Sequence, residues 1–147
     1  MIIGKKSNIS FFTEGDIEHP FTSEIQQYAD WLSNVASTER KSIISLTYIF
    51  CSDEYLLGIN QTYLQHDYYT DIITFPYQEG DNLESDLFIS LERVADNAST
   101  YGENFMDELR RVMVHGLLHL IGYGDKSESD YAIMQAKEDF YIQKWVD

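Results

Sequence analysis

Two of the chain's four histidines, His115 and His119, stand four residues apart in the run Val114-His115-Gly116-Leu117-Leu118-His119-Leu120-Ile121-Gly122-Tyr123-Gly124-Asp125. On an α-helix that separation turns through about 40° net, so both rings leave one face, as a divalent cation requires. Gly122 supplies a helix stop, and Asp125 follows three residues later within reach of the same point. Two imidazoles and a carboxylate leave a tetrahedral ion one position for water, the arrangement of a catalytic rather than a structural zinc site. Metal-bound water is a nucleophile near neutral pH, and the cation polarises phosphoryl or carbonyl oxygens, so hydrolysis is the expected reaction class. The oxygen ligand also admits nickel, manganese or iron. For the histidine pair alone, the competing reading is core imidazoles satisfied by backbone carbonyls. A helix-weakening glycine and a terminal carboxylate argue for the metal.

The surrounding residues narrow the chemistry. In H-E-x-x-H peptidases the residue after the first histidine is a glutamate acting as general base. Here it is Gly116. Peptide hydrolysis is therefore disfavoured, and the glycine is expected to leave space beside the metal for a bulky group such as a phosphodiester. Arg111, one turn before His115, could contact an anionic substrate, although an i, i+4 pair with Asp107 accounts for it better. Glu108 is a candidate acceptor behind a ligand imidazole, or plain surface charge. Tyr68 and Tyr69 are the most plausible of eleven tyrosines for stacking on bases. No residue declares itself as general base.

The elements that must position these residues are read from periodicity. Asn8–Thr13 and Ser42–Cys51 read as strands, the second a nearly continuous apolar run expected in mid-sheet. Between them a helix capped by Thr22 or Ser23 runs to about Thr38, with Trp31 flanking its core face. A shorter helix from Ser52 or Asp53 to near Tyr63 would turn Tyr55, Leu56, Ile59 and Tyr63 inward. Leu64–Tyr69 has no period. Thr70–Pro76 and Asp86–Ser90 read as strands around a polar loop at Gln78–Glu84. Leu91 to about Thr100 is helical, the histidine helix begins near Asn104, and Ser127 opens a last helix to Trp145 with Tyr131, Met134, Phe140 and Ile142 among its apolar positions. The order βαβαββααα implies an α+β fold, a small mixed sheet packed with about five helices, with the metal site at the end of a long helix.

Composition sets the outer bounds. The 147 residues fit a single domain spanning 1–147. Ten basic against twenty-five acidic residues give a net charge of −15, unusual for a protein that binds polyanions. The single cysteine, Cys51, lies in an apolar run and reads as a buried hydrophobe in a reducing cytoplasm. The N-terminal stretch lacks a signal-peptide core, and no run is long enough to span a membrane.

The histidine run resembles the signature of the YbeY-type bacterial endoribonucleases, the rRNA maturation factors, whose pattern is H-G-x-L-H-L-x-G-Y-D-H. Further blocks agree. Asn60-Gln61-Thr62-Tyr63 and Thr70-Asp71-Ile72-Ile73-Thr74-Phe75-Pro76 are similar to the family's N-x-x-Y-R and T-[DN]-V-L-S-F-P, and Asp86-Leu87-Phe88-Ile89-Ser90 to its G-D-I-x-I-S strand. Glu108-Leu109, Met134 and Glu138 fall where the family has similar residues, so the resemblance spans about residues 60–138. It implies a zincin-like fold, a Zn2+ ion held by His115, His119 and Asp125, and cleavage of single-stranded RNA. That cleavage would serve 16S rRNA 3′-end maturation and ribosome quality control in the cytoplasm. The implied partners are ribosomal RNA and the small ribosomal subunit, with ribosomal or accessory proteins.

Two departures from the pattern matter. Asp125 stands where the family has a third histidine, and an anionic ligand should leave a bound water less acidic than three imidazoles would. Leu64 replaces the family's arginine, with His66 nearby as a partial substitute for its charge. With the net charge of −15, RNA affinity is expected to be salt-sensitive or partner-dependent. The alternatives are a metal-dependent hydrolase of a peptide or small molecule, and a non-enzymatic ribosome-associated factor with a structural metal.

Overall fold

The computed structural model describes residues 2–6, 8–78 and 80–145. Five strands, β1 (Ile2–Lys6), β2 (Ile9–Thr13), β3 (Ser42–Cys51), β4 (Ile72–Gln78) and β5 (Asn82–Ser90), form one mixed sheet in the order β1-β2-β3-β5-β4. The outer pairs are antiparallel, while β3 runs parallel to both β2 and β5, so the apolar Ser42–Cys51 run is indeed central. Strand β1 was not expected. Its short segment carries a glycine and two lysines, a poor strand signal, and gains strand structure by pairing with the edge of β2. The expected Gln78–Glu84 loop is mostly strand: Gln78 pairs with Glu84, and Asn82–Glu84 runs beside β3. The reason is Leu83, which continues the buried alternation of Ser85, Leu87 and Ile89. Glu79, within that stretch, lies outside the described residues.

The alternation sorts the helices to two faces. Leu46, Tyr48, Phe50, Leu87 and Ile89 share a core with α1 (Ile25–Thr38), α4 (Phe105–Ile121), α5 (Glu128–Ile142) and Val94 of α3 (Leu91–Tyr101). Cys51, Ile73 and Phe88 point the other way, against Leu56 and Ile59 of α2 (Asp53–Tyr63). Among the described residues, the mixed sheet and five helices give the α+β architecture expected. No helix among the described residues is long and apolar enough to cross a membrane.

Several local expectations needed correction. Helix α1 starts after Glu24 without a side-chain cap, and burial of Tyr28, Trp31, Leu32 and Val35 holds it instead. Trp31 is inside the core, its indole N–H donating 2.7 Å to the Tyr141 carbonyl. Tyr55 and Tyr63 are exposed, so only Leu56 and Ile59 carry the apolar face of α2. Helix α5 stops at Ile142, where a turn brings Trp145 back over Tyr28, with ring centres 4.3 Å apart. Tyr131 and Phe140 are exposed, and α5 buries Met134, Glu138 and Tyr141, a stripe with i, i+4, i+7 spacing. Glu138 is the one charge in that stripe.

Candidate metal centre

Helix α4 is fixed at both ends. Asn104 caps it, its side-chain oxygen accepting from the Asp107 amide at 2.8 Å, and the buried Tyr48 hydroxyl donates to the Met113 carbonyl at 3.0 Å. At the C-terminus the amides of Gly122 and Tyr123 return to the Leu118 carbonyl. Gly122 has φ +127°, a conformation L side chains rarely adopt, which lets the chain reverse within three residues.

That reversal places Asp125 over the two histidines. Its Oδ2 lies 3.1 Å from His119 Nε2 and 3.7 Å from His115 Nε2, and the imidazoles stand nearly perpendicular with ring centres 4.6 Å apart. One donor atom from each of the three residues falls within a 4.8 Å set. Ligands about 2.0–2.1 Å from a tetrahedral zinc sit about 3.3 Å from one another, so the residues present fit such an ion.

The rear of His115 is held by Glu138. Its Oε2 accepts from His115 Nδ1 at 2.6 Å and its Oε1 accepts from Arg111 at 2.8 Å. With the proton on Nδ1, the Nε2 lone pair faces Asp125, which is the tautomer a ligand imidazole needs. Burial pulls the His115 pKa down, but the Glu138 hydrogen bond and the Asp71 and Asp125 charges leave it raised.

Glu138 thus fills the place expected of Glu108. Glu108 is buried without a hydrogen bond at Oε1, and burial, with Glu103 alongside, pushes its carboxyl up to about 7. Arg111 does not pair with Asp107, which takes Arg110 at 2.6 Å; it reaches across to Glu138 and to Asp139, the latter at 2.6 Å. The reading of Gly116 also changes. A Cβ there would meet Ile72 Cδ1 at 2.5 Å and Leu87 Cδ2 at 2.9 Å, so the glycine lets α4 lie close against β4 and β5 rather than opening space at the metal.

Two clefts meet at His115. One, of about 480 Å³, carries His119, Asp125, Leu64, His66 and Tyr68 on its walls. The Tyr68 hydroxyl meets His66 Nδ1 at 2.9 Å and the rings are nearly parallel, 5.1 Å apart. Tyr69 faces elsewhere, its hydroxyl donating to Glu54 and its ring beneath Arg93. The other cleft, of about 540 Å³, is bordered by Glu103, Glu108, Arg111 and Glu138. Asp71 lines both, accepts from Asn97 at 3.1 Å, and has its pKa raised by burial. Sequence reasoning gave Asp71 and Asn97 no role. For Glu138, the available signal was a carboxylate between Met134 and Tyr141 on the buried face of α5. Cys51 is fully buried, which pushes its thiol up to about 12 and removes it from any nucleophilic role.

Comparison with known proteins gives a consistent picture. The family model described as Endoribonuclease YbeY matches residues 12–146. Curated proteins of that name from Flavobacterium psychrophilum and Cytophaga hutchinsonii are each 49% identical to this chain, covering 89% and 92% of it and 91% and 94% of their own lengths. One from Bacteroides thetaiotaomicron is 46% identical over 89% of the chain and 94% of its own. Among solved structures, the solution structure of TM1509 from Thermotoga maritima aligns with a TM-score of 0.65 at 24% identity, covering 92% of this chain and 87% of that one.

Proposed function

Because the chain belongs to the YbeY endoribonuclease family and shares its zincin-like α+β fold, we propose that it is a zinc-dependent endoribonuclease acting on single-stranded RNA in 16S rRNA 3′-end maturation and ribosome quality control. The observation that carries the metal assignment is the convergence of His115, His119 and Asp125 within 4.8 Å, with Glu138 behind His115. A divalent cation held there supplies Lewis acidity toward a phosphoryl oxygen and lowers the pKa of water.

The chain's own residues supply the rest. Glu138 keeps the His115 proton on Nδ1 and anchors Arg111 at the cleft edge. Arg111 is already shared by two carboxylates, so it offers an RNA phosphate a screened charge. The exposed His66–Tyr68 pair lies in the same cleft as the ligands and offers aromatic surface for an unpaired base. Leu64 is exposed there where the family pattern has arginine, so stacking and a partner must replace phosphate grip. The partners are ribosomal RNA and the small subunit in the cytoplasm, a setting that brings substrate to an acidic protein by assembly rather than by charge.

A glutamate at 116, the general base of H-E-x-x-H peptidases, would collide with Ile72 and Leu87, so the packing of α4 on the sheet does not suit that arrangement. The discriminating experiment offers single-stranded RNA, duplex RNA and casein to zinc-loaded protein. Cleavage confined to single-stranded RNA is expected. Casein cleavage without RNA cleavage overturns the assignment.

A further inference from the structure

Three donors from two elements converge on one carboxylate from a third. Glu39, at the C-terminal end of α1, is 10% exposed at its side chain. Its Oε1 accepts from the Tyr123 hydroxyl at 2.6 Å, and its Oε2 accepts from Lys137 Nζ at 3.0 Å and from the Tyr141 hydroxyl. Lys137 also sits over the Tyr123 ring at 5.4 Å. A carboxylate withdrawn from water this far is tolerated only when its lone pairs are filled, so the cluster assembles as a unit.

Each donor is next to a part of the metal centre. Tyr123 stands two residues before Asp125, in the reversal that Gly122 begins. Lys137 immediately precedes Glu138, and Tyr141 follows it within one turn of α5. Glu39 therefore fastens the loop that delivers the carboxylate ligand and the helix that delivers the acceptor behind His115. Both attachments run through the single side chain of Glu39, while Trp31 of the same helix holds α5 separately at the Tyr141 carbonyl. The Asp125 side chain is 39% exposed, so its loop relies on such an anchor to hold the carboxylate over the imidazoles.

We propose that Glu39 is a positioning residue for the metal centre, setting its affinity and coordination geometry through Tyr123 and α5. The inference rests on His115, His119 and Asp125 being the ligands. The test strips the full chain of metal and titrates wild type, Glu39→Gln, Tyr123→Phe and His115→Ala with cobalt(II), reading the visible d–d bands and the Kd by chelator competition. Glu39→Gln and Tyr123→Phe are each expected to weaken cobalt binding roughly tenfold or more and to alter the band shape, as loss of supporting partners around ligands does. Cooperative melting of each metal-free variant confirms that it folds, and Tyr123→Phe, which loses one hydroxyl, decides the matter if Glu39→Gln does not. Wild-type affinity and an unchanged spectrum in a folded Tyr123→Phe would make Glu39 merely structural and overturn the inference. A His115→Ala protein that binds cobalt like wild type would instead overturn the ligand assignment beneath it.

Discussion

Replacing Gly116 by alanine sets two opposing effects against each other, and the structure decides the sign. Alanine favours a helix interior over glycine by about 1 kcal/mol. Against that, the new Cβ would stand 2.5 Å from Ile72 Cδ1 and 2.9 Å from Leu87 Cδ2, where carbon pairs prefer about 3.5–4.0 Å. Ile72 is only partly buried and can rotate its terminal methyl away, but Leu87 is wholly enclosed and must move into packed neighbours. Overpacking of this kind costs about 1–3 kcal/mol, so Gly116→Ala should lose about 1 kcal/mol net. Gly116→Val adds a stiff branched side chain and should lose about 3 kcal/mol. Urea unfolding of the metal-free proteins measures both, as a lowered midpoint with unchanged slope. A gain of about 1 kcal/mol in Gly116→Ala, as for a helix glycine facing open space, would refute the reasoning. Paired with a selective loss of RNA cleavage, it would restore the view that the glycine makes room for substrate.

Three more outcomes follow from the site. Glu138→Gln should weaken zinc binding about 10–100-fold in a chelator competition, because His115 loses its charged acceptor. Glu108→Gln bears on pH: a folded carboxyl raised to about 7 contributes stability that is fully present below its unfolded value and lost as pH rises through 7. The variant should therefore melt higher than wild type at pH 8 and gain less or nothing at pH 5, as scanning calorimetry of the metal-free protein would show. Tyr68→Ala should weaken single-stranded RNA binding by about 1–3 kcal/mol in fluorescence anisotropy, the range for losing one stacked base. Equal loss for duplex RNA would contradict a stacking role.

Much of the site was legible because its signals are local. His115, His119 and Asp125 lie within eleven residues, and helical periodicity with a glycine stop fixes their relation before any tertiary contact is known. The central strand and the helix starts near Ser52, Asn104 and Ser127 were readable for the same reason. What escaped depends on neighbours far along the chain. Glu138 approaches His115 across a helix–helix contact, Glu39 reaches Tyr123 from 84 residues away, and Gly116 faces a sheet whose position no helical wheel contains. Strand β1 owes its structure to its partner, and Tyr55 and Tyr63 are exposed because α2 covers one narrow face of the sheet.

The most direct test of the central claim pairs elemental analysis with RNA cleavage in wild type, His115→Ala and Asp125→Ala. One divalent ion per chain is predicted in wild type, with both metal and cleavage lost in His115→Ala and sharply reduced in Asp125→Ala. Cleavage of single-stranded RNA that survives loss of the metal would contradict the account, and full metal occupancy in Asp125→Ala would remove Asp125 as a ligand.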